Sequence, residues 1–450
     1  MTQASLNRAW VVLLGSLGYA LALGWGLYQL SREAPRLMPA TAWTESAKPA
    51  RGQLLSADGT PLAATTPEGK RVYPLGVSAS QLVGFGEKNP AQGLDRGLEG
   101  LERDLEAQLS SGQSIRLTID PVVQSLAEQA LWKGIASSKS DWGTALVMET
   151  STGKLLAVAN GPAFDPLAPR KDPSIDVSWR NHAFKVALEP GSTIKPLTAA
   201  VLLEKGAVTL DTRVEAPMYR KIDKWVINDV VQHPKVLSLR QVLKYSSNVG
   251  ISKLAERVSK NTLYEYFSRL HFTDTSPLAS TRVAEPQVRP VRSWGPVESA
   301  NATFGQGFLI TPLHLTAAFN VLANDGLYVP PALTEGAGAE TERVFRPEVA
   351  RAIRQALTEG AVSSAKVPGY ALGGKSGTAQ VVVGGRYSAD VFTALFAGFV
   401  PSDVPKVTVV VVLYRPKGLQ IYGALISAPV YREIAAGLLS YWGTPPRKQN

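Results

Sequence analysis

A serine and a lysine three residues apart open an otherwise apolar run in residues 187–206, ALEPGSTIKPLTAAVLLEKG. Serine is a poor nucleophile until an adjacent base takes its proton, and lysine serves as that base once burial or a nearby cation depresses its pKa. Residues three apart share a helix face, so Ser192 and Lys195 can meet at the mouth of a helix. The helix N-terminus also favours negative charge developing beside it. Pro196 is tolerated because the first turn lacks internal donors. S-x-x-K occurs twice more, at Ser151–Lys154 in STGK and at Ser363–Lys366 in SSAK. The first sits on a turn around Gly153 and the second runs into the loop VPGY, so only STIK leads into a helix.

Two further short patterns bear on the same chemistry. Among the S-x-N occurrences, Ser246 and Asn248 in LKYSSNVGI sit at a break between two helical runs. A hydroxyl there can relay a proton and a carboxamide can grip a substrate amide, although Ser and Asn are also favoured helix caps. The stretch GGKSGTAQVVV places Lys375, Ser376, Gly377 and Thr378 on glycine-rich chain that continues as a strand. A cation, hydroxyls and free strand N–H groups suit an anionic, peptide-like ligand; a bulge with an exposed lysine is the plainer alternative. In the order S-x-x-K, S-x-N, K-[ST]-G, the three form a signature of serine acyl-transfer enzymes.

The elements that must position these residues can be read around them. Asp120 is placed to cap a helix starting at Pro121. GTALVMET and GKLLAVAN read as a hairpin turning at residues 151–153, and FTALFAGFVP and KVTVVVVLYRP as another turning at SDVP. A long, mainly helical middle lies between them, and the helix APVYREIAAGLLSYW closes the unit. Strands at both ends with helices between predict an α/β (α+β) fold: an antiparallel sheet assembled from distant segments and flanked by helices. Before it, residues 31–114 read as a linker and a small irregular module without a catalytic cluster. The domain expectation is a tail at 1–8, a membrane anchor at 9–30, the linker and pedestal at 31–114, the catalytic domain at 115–442 and a tail at 443–450.

The anchor rests on residues 9–30, 22 residues without a charge, with Trp10, Trp25 and Tyr28 near the ends. The run is too long for a cleaved signal, and the ATA triplet at 40–42 lies far beyond its end. Flanking Arg8, Arg32 and Arg36 give no vote on orientation. Gly15, Gly18, Ala22 and Gly26 form a small-residue stripe that permits close approach of another membrane helix.

The 450 residues carry a net charge of +10, which suits an anionic neighbour such as a phospholipid surface. The basic residues are scattered rather than clustered, which argues against nucleic acid. The chain contains no cysteine, excluding disulfides and thiolate metal sites, and its four histidines form no ligand motif, so no metal or other cofactor is expected.

The chain resembles the class B penicillin-binding proteins, membrane-anchored transpeptidases that cross-link peptidoglycan. ARGQLLSADGTPLA, RVYPLGVSASQLVGF and RGLEGLERDL are similar to the family's pedestal signatures. LTIDPVVQSLAEQAL, EPGSTIKP, SSNVG, TFGQGFLITPLHLTAAFNVLANDG and GGKSGTAQ are similar to its transpeptidase domain. The resemblance implies Ser192 as acylated nucleophile, Lys195 as its base, Ser246 as proton shuttle and Asn248 as a clamp on the substrate backbone. Lys375, Ser376, Gly377 and Thr378 would line the strand that receives the D-Ala-D-Ala stem. Backbone N–H groups of Ser192 and Thr378 would form the oxyanion hole. Ser376 stands where threonine is commoner and His314 where glutamine is usual. Only residues 61–70 separate the core of the first pedestal signature from RVYP, so the chain resembles a short form. With no room for a glycosyltransferase domain, the resemblance implies a separate SEDS-type polymerase meeting the anchor and pedestal. It also implies β-lactam binding and a single-pass inner-membrane protein with its catalytic domain outside the cytoplasm. The competing expectations are a D,D-carboxypeptidase or β-lactamase-like hydrolase, in which water resolves the acyl-enzyme, and a non-catalytic β-lactam sensor.

Overall fold

The computed structural model describes residues 16–25, 27–29, 50–88, 95–169, 179–273, 278, 280–336, 340–383 and 386–446. The chain divides into two units, residues 1–49 and 50–450. In the first, residues 16–25 and 27–29 are helical and their large apolar side chains, Leu17, Leu21 and Leu27 among them, are exposed. No helix among the described residues is long and apolar enough to cross a membrane. The anchor expected at 9–30 extends beyond them, and Gly15 and Gly26 of its small-residue face lie outside. Gly18 and Ala22 are on the described helix.

The second unit begins with a small sheet in the order Arg71–Val72, Pro61–Thr65, Leu54–Leu55, Ile115–Arg116. The last two strands pair in parallel, so the start of the expected catalytic segment completes the sheet of the segment before it. Glu102 is fully buried there and accepts from Arg51 Nε at 2.9 Å and Arg71 Nε at 2.7 Å. A buried carboxylate survives only with such partners. Leu54, Leu62 and Leu82 share one core with Leu146, Met148 and Leu155 of the following sheet. Thr118 Oγ1 ties the junction by donating toward the carbonyls of Leu155 and Ala332 at 2.8 and 2.9 Å.

The main sheet has five strands: β1 (Trp142–Glu149), β2 (Leu155–Gly161), β3 (Gly373–Val383), β4 (Arg386–Val400) and β5 (Val407–Tyr414). Their order is β3-β4-β5-β1-β2 and every pairing is antiparallel. Seven helices matter for the site: α1 (Pro121–Ser138), α2 (Lys195–Glu204), α3 (Leu239–Tyr245), α4 (Asn248–Ala255), α5 (Pro312–Ala323), α6 (Pro347–Glu359) and α7 (Gly423–Tyr441). Asp120 caps α1 by accepting from the N–H groups of Val122 and Val123.

The sheet is covered on both faces, which is why its strands read as continuous apolar runs rather than alternating ones. Along β5, Val410 and Val412 face a core shared with α2 and α5. Val409, Val411 and Leu413 face another, shared with α1 and α7. The period of two survives as a choice between two cores.

The middle of the chain departs from the mainly helical expectation: Arg213–Glu215 pairs with Val236–Ser238, Leu327–Tyr328 pairs with Glu342–Arg343, and a hairpin lies beside the site. Tyr219–Ile222 and Trp225–Asn228 form a two-stranded antiparallel hairpin. Asp223 adopts φ 53°, which closes the two-residue turn. The hairpin leaves Tyr219, Trp225 and Val226 exposed.

Candidate active site

Three chain segments from distant parts of the sequence meet at the outer face of β3. The first is the 3-10 turn Gly191–Ile194, which runs directly into α2. The turn follows from sequence: Pro190 supplies a fixed φ, Gly191 adopts φ 54°, and Thr193 Oγ1 donates to Pro190 O at 2.6 Å. Behind it, Gly305 approaches so closely that a Cβ there would stand 2.1 Å from Gly191 O. Gly191 N in turn donates to Gly305 O at 3.0 Å. The turn is thereby pinned, with Ser192 half-buried at its front and α2 buried behind.

The second segment is the break between α3 and α4. Ser246 occupies the left-handed region at φ 59° and Ser247 caps α4 by accepting from Gly250 N. A non-glycine residue held there marks a position that the surroundings over-determine. The third segment is β3 itself, in register with Lys375 opposite Ala397 and Thr378 opposite Ala394. Gly377 carries no side chain where β3 passes Pro190 and Thr193; a Cβ there would stand 3.1 Å from atoms of both. Thr378 Oγ1 accepts from Gly423 N at 3.1 Å, joining β3 to the start of α7.

Lys195 connects the first two segments. Its Nζ lies 2.9 Å from Ser192 Oγ and 3.1 Å from Ser246 Oγ, and it also donates to Ser246 O. The side chain is fully buried. Burial pushes its pKa well down, the charge of Lys375 pushes it further, and Asp229 opposes both. An amine so placed can be neutral at a serine it touches. Lys375 is buried as well and burial lowers its pKa to about 8. Its Nζ donates to Ser376 O at 3.0 Å. Asn248 Nδ2 donates to Asn228 O at 2.8 Å, leaving its carbonyl oxygen for another partner.

Every expected catalytic and substrate-strand residue, Ser192, Lys195, Ser246, Asn248, Lys375, Ser376, Gly377 and Thr378, therefore belongs to these three converging segments. A cleft of about 630 Å³ opens beside them, lined by Asn248 and Thr378 together with Trp225 and Ile227 of the hairpin, Phe304, Tyr387 and Tyr422. His314 stays away from the cleft: it is buried in α5 with Nδ1 2.7 Å from Thr311 Oγ1. No cluster of three or more potential metal ligands occurs among the described residues.

Some site residues escape a reading of the sequence. Glu189, just before the turn, accepts from Gly307 N at 2.8 Å and from Tyr387 OH at 2.7 Å. Burial raises the pKa of both Glu189 and Tyr387. Asp229 lies on the loop after the hairpin and collects donors from Ser247, Asn248, Val249 and His233. The only local signal was negative: carboxylates in apolar surroundings need partners, and the sequence does not say which.

Residues 143–436 match the family model described as the penicillin-binding protein transpeptidase domain. PenA of Neisseria gonorrhoeae, a probable peptidoglycan D,D-transpeptidase, is 31% identical over 414 residues, 84% of this chain and 70% of that protein. The peptidoglycan D,D-transpeptidase FtsI of Escherichia coli (strain K12) is 29% identical over 412 residues, 84% of this chain and 68% of that protein. Among solved structures, apo penicillin-binding protein 3 from Mycobacterium tuberculosis superposes with a TM-score of 0.80 at 27% identity. That alignment covers 89% of this chain and 97% of the other. The fold is that of a penicillin-binding transpeptidase. The chain belongs to the class B penicillin-binding proteins, and its activity is that of a peptidoglycan D,D-transpeptidase.

Proposed function

We propose that Ser192 is the residue acylated by the donor stem peptide and that Lys195 is its base. The observation that carries this is Lys195 Nζ, buried and within 3.1 Å of both the Ser192 and Ser246 hydroxyls. Neutral Lys195 takes the Ser192 proton as Oγ attacks the carbonyl carbon of the penultimate D-alanine. Backbone N–H groups of Ser192 and Thr378 receive the charge on the carbonyl oxygen. Ser246 passes a proton to the leaving nitrogen, the C–N bond breaks, and D-alanine departs. An amine from a neighbouring stem then attacks the ester, yields its proton through Lys195, and returns the Ser192 hydroxyl as the cross-link forms. Asn248 holds the donor backbone, while Lys375, Ser376 and Thr378 receive its terminal carboxylate along β3.

The same site is open to β-lactams, whose ring carbonyl and carboxylate mimic the donor. The M. tuberculosis relative has been solved with aztreonam and with ampicillin. We place the chain at the inner membrane, anchored by residues 9–30 with the catalytic domain outside. A SEDS-type glycosyltransferase, meeting the anchor and pedestal, supplies the glycan strands. The test is labelling with a fluorescent penicillin followed by peptide mass mapping. A long-lived adduct on Ser192, lost in Ser192→Ala, is the expected result. A short-lived adduct released by water would instead make the chain a hydrolase, and label elsewhere would overturn the assignment.

A further inference from the structure

We propose that Asp229, seated by His233, is a positioning residue that holds the Ser246–Asn248 turn in its reactive arrangement; this rests on the assignment of Ser192 and Lys195 above. Four donors converge on one carboxylate. Oδ1 accepts the backbone N–H of Asn248 and, at 3.1 Å, that of Val249. Oδ2 accepts the Ser247 hydroxyl and, at 2.8 Å, His233 Nε2. Asp229 is 8% exposed, and its own N–H donates to Met218 O at 2.9 Å, so the loop beneath it is tied down too.

These contacts reach every part of the turn that the chemistry uses. The Ser247 hydroxyl that donates to Asp229 also caps α4 by accepting from Gly250 N at 2.8 Å. Asn248 is held twice, its N–H by Asp229 and its Nδ2 by the carbonyl of Asn228, the residue before Asp229. Ser246, kept at a positive φ by that turn, presents both its carbonyl and its hydroxyl to Lys195. Without Asp229 the left-handed Ser246 has less to hold it, because that conformation persists only when its surroundings impose it. Releasing it moves the oxygen atoms that fix the Lys195 amine.

His233 completes the device. Its ring is buried, with Nε2 facing Asp229 and Nδ1 2.9 Å from Pro234 O. Each ring nitrogen thus has an oxygen partner, which fixes the plane of the ring. The ring also lies 6.0 Å from that of Tyr245, the last residue of α3. The Asp229–His233 pair thus spans from the end of α3 to the start of α4, across the break that carries Ser246.

A positioning role predicts two effects that mere structural support does not. Asp229 faces Lys195 from the loop while Lys375 faces it from β3, and the two act on its amine in opposite senses. Asp229→Asn removes the negative charge, so Lys195 keeps its neutral form to lower pH and the acid limb of acylation moves down. The turn also loosens, and displacement of reacting groups by the order of 1 Å lowers the rate by up to about 100-fold. The assay is the second-order rate of Ser192 acylation by fluorescent penicillin from pH 5 to 9, normalised to the fraction of protein that labels at saturation. Expected is a fall of at least about tenfold together with the downward shift of the acid limb. A normalised rate and limb identical to those of the parent would overturn the proposal, as would a loss confined to the labelling fraction. His233→Phe, which keeps a ring beside Tyr245 but deletes both ring nitrogens, is the second variant should Asp229→Asn fold poorly. It should lower the normalised rate, and an unchanged rate refutes the role of the pair. Failure of the parent itself to label at Ser192 would count against the catalytic assignment instead, which separates the two ideas.

Discussion

Gly305→Ala tests whether the nucleophile's turn is held by close backbone packing. The methyl would stand 2.1 Å from Gly191 O and 2.7 Å from Gly191 N, at a φ of +84°. To restore van der Waals separation, Gly191 and the chain leading into Ser192 must retreat by about 1 Å. Gly307 is an internal control: its φ is +82°, but no atom lies within 4 Å of its Cβ position. Both substitutions carry the left-handed cost of about 1–2 kcal/mol for alanine. Gly305→Ala adds an overpacking cost of about 1–3 kcal/mol, so it should be destabilised by about 2–5 kcal/mol in total. A 1 Å displacement of Ser192 from Lys195 should slow acylation about 100-fold, whereas Gly307→Ala should stay within about fivefold of the parent. Chemical denaturation gives the stability and stopped-flow labelling with fluorescent penicillin gives the rate. If Gly305→Ala acylates as fast as Gly307→Ala, the claim that this contact sets the position of Ser192 is wrong.

The acylation rate should be bell-shaped in pH. It rises as Lys195 loses its proton and falls above about 8 as Lys375 loses the charge that attracts the carboxylate. Lys375→Gln should abolish the alkaline limb and move the acid limb upward, because the cation that depresses Lys195 is gone; an unmoved acid limb would refute the coupling. Burial, aided by Arg180, pushes His182 down to about 3 while its ring stacks on Trp142 at 4.1 Å. The native state refuses a proton that the unfolded chain accepts below about 6.5, so stability is complete above that pH. It is lost toward pH 3 by about 1.4 kcal/mol per unit. His182→Leu should flatten that slope in urea titrations at pH 4 and 7, and a slope unchanged by it would exclude the residue. Glu102→Gln leaves Arg51 and Arg71 without their shared carboxylate and should cost about 3–5 kcal/mol, measured by denaturant midpoint.

What the sequence made legible follows from the range of the interactions. Ser192 and Lys195 are three residues apart on one turn, so helix geometry alone brings them together. The two hairpins of the sheet announce themselves by short turns between β-rich runs. Asp229 and His233 gave no such signal, because their meaning depends on a turn about twenty residues away, and Glu189 meets Tyr387 across 198 residues. The hairpin at 219–228 was hidden for a different reason. Its exposed Tyr219, Trp225 and Val226 break the apolar-in, polar-out alternation by which half-buried strands are recognised.

The strand order has a consequence for how the protein comes into being. β5 lies between β4 and β1, so the first hairpin of the domain stays without its central neighbour until residues 407–414 have been made. Within the sheet β3, which bears Lys375 and Thr378, pairs with β4 alone, and β4 pairs in turn with that same late strand. A chain ending before residue 407 therefore lacks the strand that links the first hairpin to the β3–β4 pair.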